Sequence, residues 1–161
     1  PFDCWLAERG LLSFELRYDR AEASARQLAD ELAGLPGVRR VVHPARADHP
    51  DAGRAAALMG GRCANMVTFE IAGGRAAANA FAAACDGIPM APTLGDAGST
   101  LSHPASSSHR GLSPEARAAL GISEGTFRLS VGLEPAEALR TALARASEVA
   151  AEAAAEVAAE A

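Results

Sequence analysis

Apolar residues recur along this chain with two different periods. Over residues 17–33, Ala21, Ala25, Leu28, Ala29 and Leu32 fall three or four apart, with Asp, Glu and Arg between them. That spacing predicts an amphipathic helix, stopped by Gly34, Pro36 and Gly37. Over residues 65–71, Val67, Phe69 and Ile71 alternate with Thr68 and Glu70, the period of a half-buried strand. Residues 126–131 alternate in the same way, with Phe127, Leu129 and Val131 on one face and Thr126, Arg128 and Ser130 on the other. Residues 38–43 predict a short strand ended by Pro44, 51–59 a short helix ended by Gly60 and Gly61, and 75–85 an alanine-rich helix. The apolar stretch 2–16 predicts a helix that breaks at Gly10 and resumes. Residues 88–94 predict a strand made irregular, or kept to an edge, by Pro89 and Pro92. Residues 95–111 read as a long Gly/Ser/His/Pro loop, functional or disordered. Ser113 as N-cap and Pro114 at the first helical position open a helix that Gly121 closes. From Pro135 the chain reads as helix to its end.

Strands separated by helices predict an α/β (α+β two-layer) domain, a small sheet with helices packed on it. The length of 161 residues suits one domain with a real core. Much of the 49% apolar fraction is alanine, so the core rests on far fewer large side chains. After about residue 147 the composition narrows to Ala, Glu and Val, and Glu148, Glu152, Glu156 and Glu160 form one acidic stripe. Like charges at this spacing repel by a few tenths of a kcal/mol each, so the stripe must face water. It reads as a frayed or linker-like helical extension over 148–161, with a partner-binding helix as the alternative.

The charge balance narrows the functions open to the chain. A net charge of −5 gives no global field for nucleic acid. No apolar run is long enough to span a membrane. All 15 basic residues are Arg, so no lysine of this chain can form a Schiff base. Cys4, Cys63 and Cys85 are widely spaced, which fits reduced thiols in a cytoplasmic protein. Pro1 in place of Met reads as a cut inside a longer protein.

No phosphate-binding glycine loop, nucleophile elbow or metalloprotease motif occurs. His43, His49, His103 and His109 lack metal-ligand spacing, and no metal site is expected. The neighbours Ser102-His103 and Ser108-His109 do not make a self-contained triad. Arg128 is more informative, because a guanidinium within a core strand needs an anionic partner. Two readings stand open: an internal pair with Asp or Glu, or a clamp for a small acidic ligand.

Several ordered motifs then point to a family. They are Thr93-Leu-Gly-Asp96, His103-Pro-Ala-Ser106 followed by Ser108-His109, Ala119-Leu-Gly-Ile-Ser123, and Arg128-Leu-Ser-Val-Gly-Leu-Glu134. With Pro1 to Leu6, Arg9 to Leu11, Val38 to Pro44 and Asp48-His-Pro50, they resemble the C-terminal half of the pyridoxal-phosphate-dependent transsulfuration enzymes. That family includes cystathionine γ-synthase, cystathionine γ-lyase, methionine γ-lyase and O-acetylhomoserine sulfhydrylase. The resemblance implies the C-terminal small domain of a fold-type I pyridoxal-phosphate-dependent transferase over residues 1–147, with a mainly antiparallel sheet and helices on one face. It implies pyridoxal 5′-phosphate (PLP) as cofactor, held mainly by an N-terminal large domain that lies outside this sequence and supplies the catalytic lysine. It places Arg128 at the arginine that grips the substrate α-carboxylate. Thr93 and Leu94 fall on the active-site turn, and Ser108 faces the substrate or the cofactor linkage. The implied partners are a sulfur amino acid or activated homoserine, the PLP-binding large domain, and further copies in a homotetramer. Pro92 and the Gly98-Ser99 pair depart from the residues usual at their positions, so the resemblance leaves β and γ chemistry open. A stand-alone, non-catalytic binding module derived from the same family is the alternative.

Overall fold

A computed structural model describes residues 1–159 of the chain. The sheet grows from the alternating segments. Strands β1 (Val38–Val42), β2 (Met66–Ile71), β3 (Thr100–Ser102) and β4 (Thr126–Ser130) lie in the order β1-β2-β4-β3, and every pairing is antiparallel. Phe69 stands opposite Phe127 and Thr68 opposite Arg128. One face therefore collects Val67, Phe69, Ile71, Phe127 and Leu129, all buried.

Three helices cover that face. They are α2 (Phe14–Leu32), α4 (Gly74–Ala84) and α6 (Ala136–Ala159), and they deliver Leu28, Leu32, Phe81, Leu139 and Leu143 to the same core. At its centre the rings of Phe69, Phe81 and Phe127 meet with centroids 5.0–5.6 Å apart. Three short or peripheral helices, α1 (Phe2–Leu11), α3 (Ala52–Met59) and α5 (Pro114–Ala119), bury no residue. The expected two-layer architecture, antiparallel sheet and helices on one face, is what the chain adopts.

Three segments differ from their pattern. Residues 88–94 form no strand; a single bridge joins Met90 to Leu101. Pro89 and Pro92 lack the N–H that a ladder needs, so pairing stops after one step. The fourth strand comes instead from Thr100–Ser102, inside the segment that reads as loop. It is buried on both faces, so no alternation marks it. Near the N-terminus Gly10 does not break the helix, which runs on to Leu11. Arg17 donates to the Gly10 carbonyl (3.0 Å) and to the Ser13 hydroxyl, satisfying the carbonyl end there.

The alanine-rich end of α6 is packed rather than frayed. Ala150 is fully buried, Ala151 meets the backbone at Gly37, and Ala154 meets it at Gly73. Glu148, Glu152 and Glu156 take the exposed side, as their mutual repulsion requires. Glu160 lies outside the described residues. No described helix is long and apolar enough to cross a membrane.

This contact predicts opposite outcomes for two glycines. Gly73 has φ +93°, and a Cβ there would stand 2.4 Å from the Ala154 Cβ and 2.8 Å from that of Ala77. Gly73→Ala should destabilise the chain by about 1–3 kcal/mol. Gly53 sits inside α3 with open space around it, so Gly53→Ala should stabilise by about 0.5–1 kcal/mol. Urea denaturation midpoints at constant slope measure both.

Candidate functional site

The site lies on the sheet face turned away from the large helices. Since Phe127 and Leu129 point into the core, Thr126, Arg128 and Ser130 point the other way. Arg128 sits mid-row, between Thr68 of β2 and Ser102 of β3. Among the described residues it forms no ion pair with Asp or Glu. An Nη of its guanidinium donates to two carbonyls, Thr93 at 3.2 Å and Pro92 at 3.4 Å. Its Nε is buried and has no hydrogen-bond partner.

The turn that meets Arg128 hangs from two hydroxyls of the sheet. Thr100 donates to the Thr93 carbonyl (3.1 Å), and the Gly95 N–H donates to the Ser130 hydroxyl (2.9 Å). Thr100 and Ser130 are register partners, so one rung of the sheet holds both ends of the turn. Gly95 adopts φ +77°, a left-handed conformation that suits glycine. Thr93 and Leu94 themselves remain exposed.

Ser108 approaches from the opposite side. It lines with Arg128 a cavity of about 330 Å³ whose walls include Thr68, Pro104, Leu120 and Ile122. The Ser108 hydroxyl bonds to the His109 ring at 2.8 Å. The fold thus brings Arg128 and the backbone of Thr93 into contact. It sets Ser108 across a shared cavity and leaves Leu94 at the rim of the turn.

Buried His103 fixes the loop that carries Ser108. Its Nε2–H donates to the Glu124 carbonyl (2.8 Å), its Nδ1 accepts from the Ser106 hydroxyl (2.9 Å), and its ring lies 5.0 Å from that of Phe127. Ser107 adds a bond from its hydroxyl to the His103 carbonyl. Burial lowers the His103 pKa, which keeps the ring neutral, as one donor plus one acceptor requires. Below it, burial opposes the charge of Glu124, but hydrogen bonds and charges from Arg117 and Arg75 outweigh it and hold the carboxyl below its usual range. Ser130, Thr100 and His103 are supporting residues; the sequence offered Ser130 and His103 only as members of motifs, and Thr100 not at all. For Ser130 a signal was present, two positions from Arg128 on the same face.

Similarity to known proteins identifies the family. The description "Cys/Met metabolism PLP-dependent enzyme" fits residues 1–148. The chain belongs to that family. It is 39% identical over 145 residues to an O-succinylhomoserine sulfhydrylase of Pseudomonas aeruginosa, which covers 90% of this chain and 36% of that protein. It is 40% identical over 146 residues to an L-methionine gamma-lyase of Pseudomonas putida, covering 91% of this chain and 36% of the relative. Among solved structures, cystathionine gamma synthase from Xanthomonas oryzae pv. oryzae, in complex with cystathionine, superposes with a TM-score of 0.85 at 37% identity. That match covers 95% of this chain and 39% of the other. The chain therefore spans little more than a third of the length of the relatives it matches. Family members are PLP-dependent, yet this chain contains no Lys. Its own residues do not fit covalent attachment of PLP.

The buried imidazoles give the domain a pH dependence. Burial lowers the pKa of both His43 and His103 from the ordinary 6.5. Between those lowered values and 6.5 the unfolded chain binds more protons than the folded one, so acid favours unfolding. Their contribution is complete above about pH 6.5 and is lost as pH falls through the folded values. The expected result is a flat melting temperature from pH 7 to 8 and a decline below 6.5, at most about 1.4 kcal/mol per pH unit for each ring. Thermal melts of the wild type and of His103→Gln check it: the variant should start lower and decline less steeply between pH 6.5 and 5.

Proposed function

We propose that this chain is the C-terminal, substrate-carboxylate-binding part of a PLP-dependent enzyme acting on a sulfur amino acid or activated homoserine, by elimination or replacement. The observation that carries this reading is the state of Arg128. A buried N–H without an acceptor costs about 1–3 kcal/mol, and the orphaned Nε of Arg128 is such a donor. Nε–H and a neighbouring Nη–H form the two-pronged edge that a carboxylate accepts in bidentate fashion. With no acid among the described residues paired to it, Arg128 is free to take the carboxylate of a ligand.

In this reading Arg128 fixes the α-carboxylate, the Thr93–Leu94 turn closes one side of it, and Ser108 faces the rest of the substrate across the cavity. Bound beside this site, PLP would supply an electron sink for negative charge at the substrate Cα. Holding the carboxylate fixes the direction of the Cα–H bond, which is the orientational share of catalysis. The lysine, the phosphate contacts and the cofactor belong to a PLP-binding large domain. An apolar surface supports such a partner: Phe2, Trp5, Leu11, Leu12, Phe14 and Leu16 are all half or more exposed near the N-terminus. We assign this patch to the large domain and to neighbouring subunits of a homo-oligomer.

Two experiments test the assignment. Arg128→Lys, placed in the complete enzyme, keeps the charge and loses the planar fork. Loss of one charge-assisted bond of about 1.5–3 kcal/mol should lower kcat/KM about 10- to 150-fold, with an unchanged melting temperature. Intact kcat/KM with a sharply lower melting temperature would make Arg128 structural. The second experiment reads the coding sequence before Pro1. A large domain in the same frame with a Ser-x-x-Lys lysine supports the assignment. A start codon abutting Pro1 favours a stand-alone, non-catalytic module. Independently, the 161-residue chain treated with PLP and borohydride should carry no side-chain adduct.

A further inference from the structure

The Thr93–Leu94 turn has a second attachment, built on a carboxylate that the carboxylate-binding reading does not use. Glu134 lies beyond β4, just before α6. Its side chain accepts the Ser99 N–H (2.6 Å) through one oxygen and the Ser99 hydroxyl (2.8 Å) through the other. The Ser99 hydroxyl in turn accepts the Gly132 N–H at 2.8 Å. Ser99 is fully buried, and the Leu133 N–H donates to the Ala97 carbonyl (2.8 Å) beside it. The approach is close enough to need bare backbone: a Cβ on Gly132 would lie 2.4 Å from the Ala97 oxygen. Among the described residues no arginine side chain neutralises Glu134; both carboxylate oxygens are spent on Ser99.

We infer that Glu134 is a positioning residue that sets the Thr93–Leu94 turn against Arg128, acting through Ser99. This rests on the carboxylate-binding reading of Arg128. The segment 95–99 that follows the turn is tied at both ends, to β4 and to the residues just beyond it. Ser130 holds Gly95 at the start, and Glu134 holds Ser99 at the finish. Thr93 and Leu94 are exposed, so no core packing holds them in place. Hydrogen bonds to an ionised acceptor are about twice as strong as neutral ones, and a bidentate acceptor also fixes direction. Arg128 donates to the Thr93 carbonyl, so any shift of the turn moves the acceptor that aims the guanidinium. Glu134 thereby controls the direction of the carboxylate-binding edge from beyond the site.

Hydrogen exchange and NMR of the 161-residue chain test this. In Glu134→Gln one acceptor becomes a donor facing Ser99, and the charge is lost. Amides of residues 94–99 should then exchange about tenfold faster or more, while those of β2 keep their rate. Ser99→Ala should do the same and Ser99→Thr, which retains the hydroxyl, should restore the slow rate. The Arg128 Nε–H resonance should shift in both loosened variants. Rates for 94–99 within about twofold of wild type in Glu134→Gln and Ser99→Ala would overturn the inference. So would a parallel rise in β2, which would make Glu134 a general stabiliser. The underlying reading is tested separately, by titrating the wild type with acetate against chloride at equal ionic strength. Acetate should shift the Arg128 Nε–H, about tenfold more weakly in Glu134→Gln. A wild-type chain blind to acetate, with the exchange results as expected, would fault the carboxylate reading and leave the Glu134–Ser99 attachment intact.

Discussion

The seating of Phe127 between Phe69 and Phe81 is the contact on which the rest depends. It fixes β4 in the core, and with it the register of the sheet. Side chains alternate along a strand, so a slip of one residue would reverse every face. Arg128 would enter the aromatic core, and Phe127 would face the cavity. Burying the rings is worth roughly 1.5–3 kcal/mol each, and an unpaired guanidinium in the core would cost several more. The same packing energy that holds the sheet together therefore aims Arg128 outward. His103, whose ring lies against Phe127 from the loop side, ties the Ser108 loop to that reference point.

The legible parts of the fold were those with a clean period. β2 and β4 announce themselves because one face is apolar and the other polar, and α2 because its stripe repeats every three or four residues. β3 was hidden because Thr100, Leu101 and Ser102 are buried on both faces, and a strand without alternation resembles a loop. Residues 88–94 misled for the converse reason: their composition suits a strand, and two prolines remove the donors. The end of α6 was misread through composition. Alanine repeats look featureless along the sequence, yet small side chains are what allow α6 to approach Gly37 and Gly73 closely.

The site divides along the same line. Arg128 is visible because a charged residue inside an alternating strand is an anomaly. What the local pattern left open was its partner, an internal acid or a ligand, and no acid of the described residues reaches it. The attachments of the turn were not visible. Ser130 to Gly95 and Glu134 to Ser99 each span 35 residues, and each joins residue types that are ordinary on a surface. Only the fold reveals that Ser130 and Ser99 are buried, and Glu134 half-buried, beneath an exposed turn.

That arrangement explains why the turn can be both exact in place and free of the core. A segment that must present backbone to a ligand cannot bury itself in apolar contacts without losing access. Here the packing lies one layer back, in the three rings and the helices behind them. The polar rung of Thr100 and Ser130, with Ser99 and Glu134, carries that rigidity forward to Thr93. Hydrogen bonds of this kind add little net stability each, but they restrict direction, and direction is what a carboxylate fork requires. The core fixes the strand, the strand fixes the hydroxyls, and the hydroxyls fix the turn against Arg128.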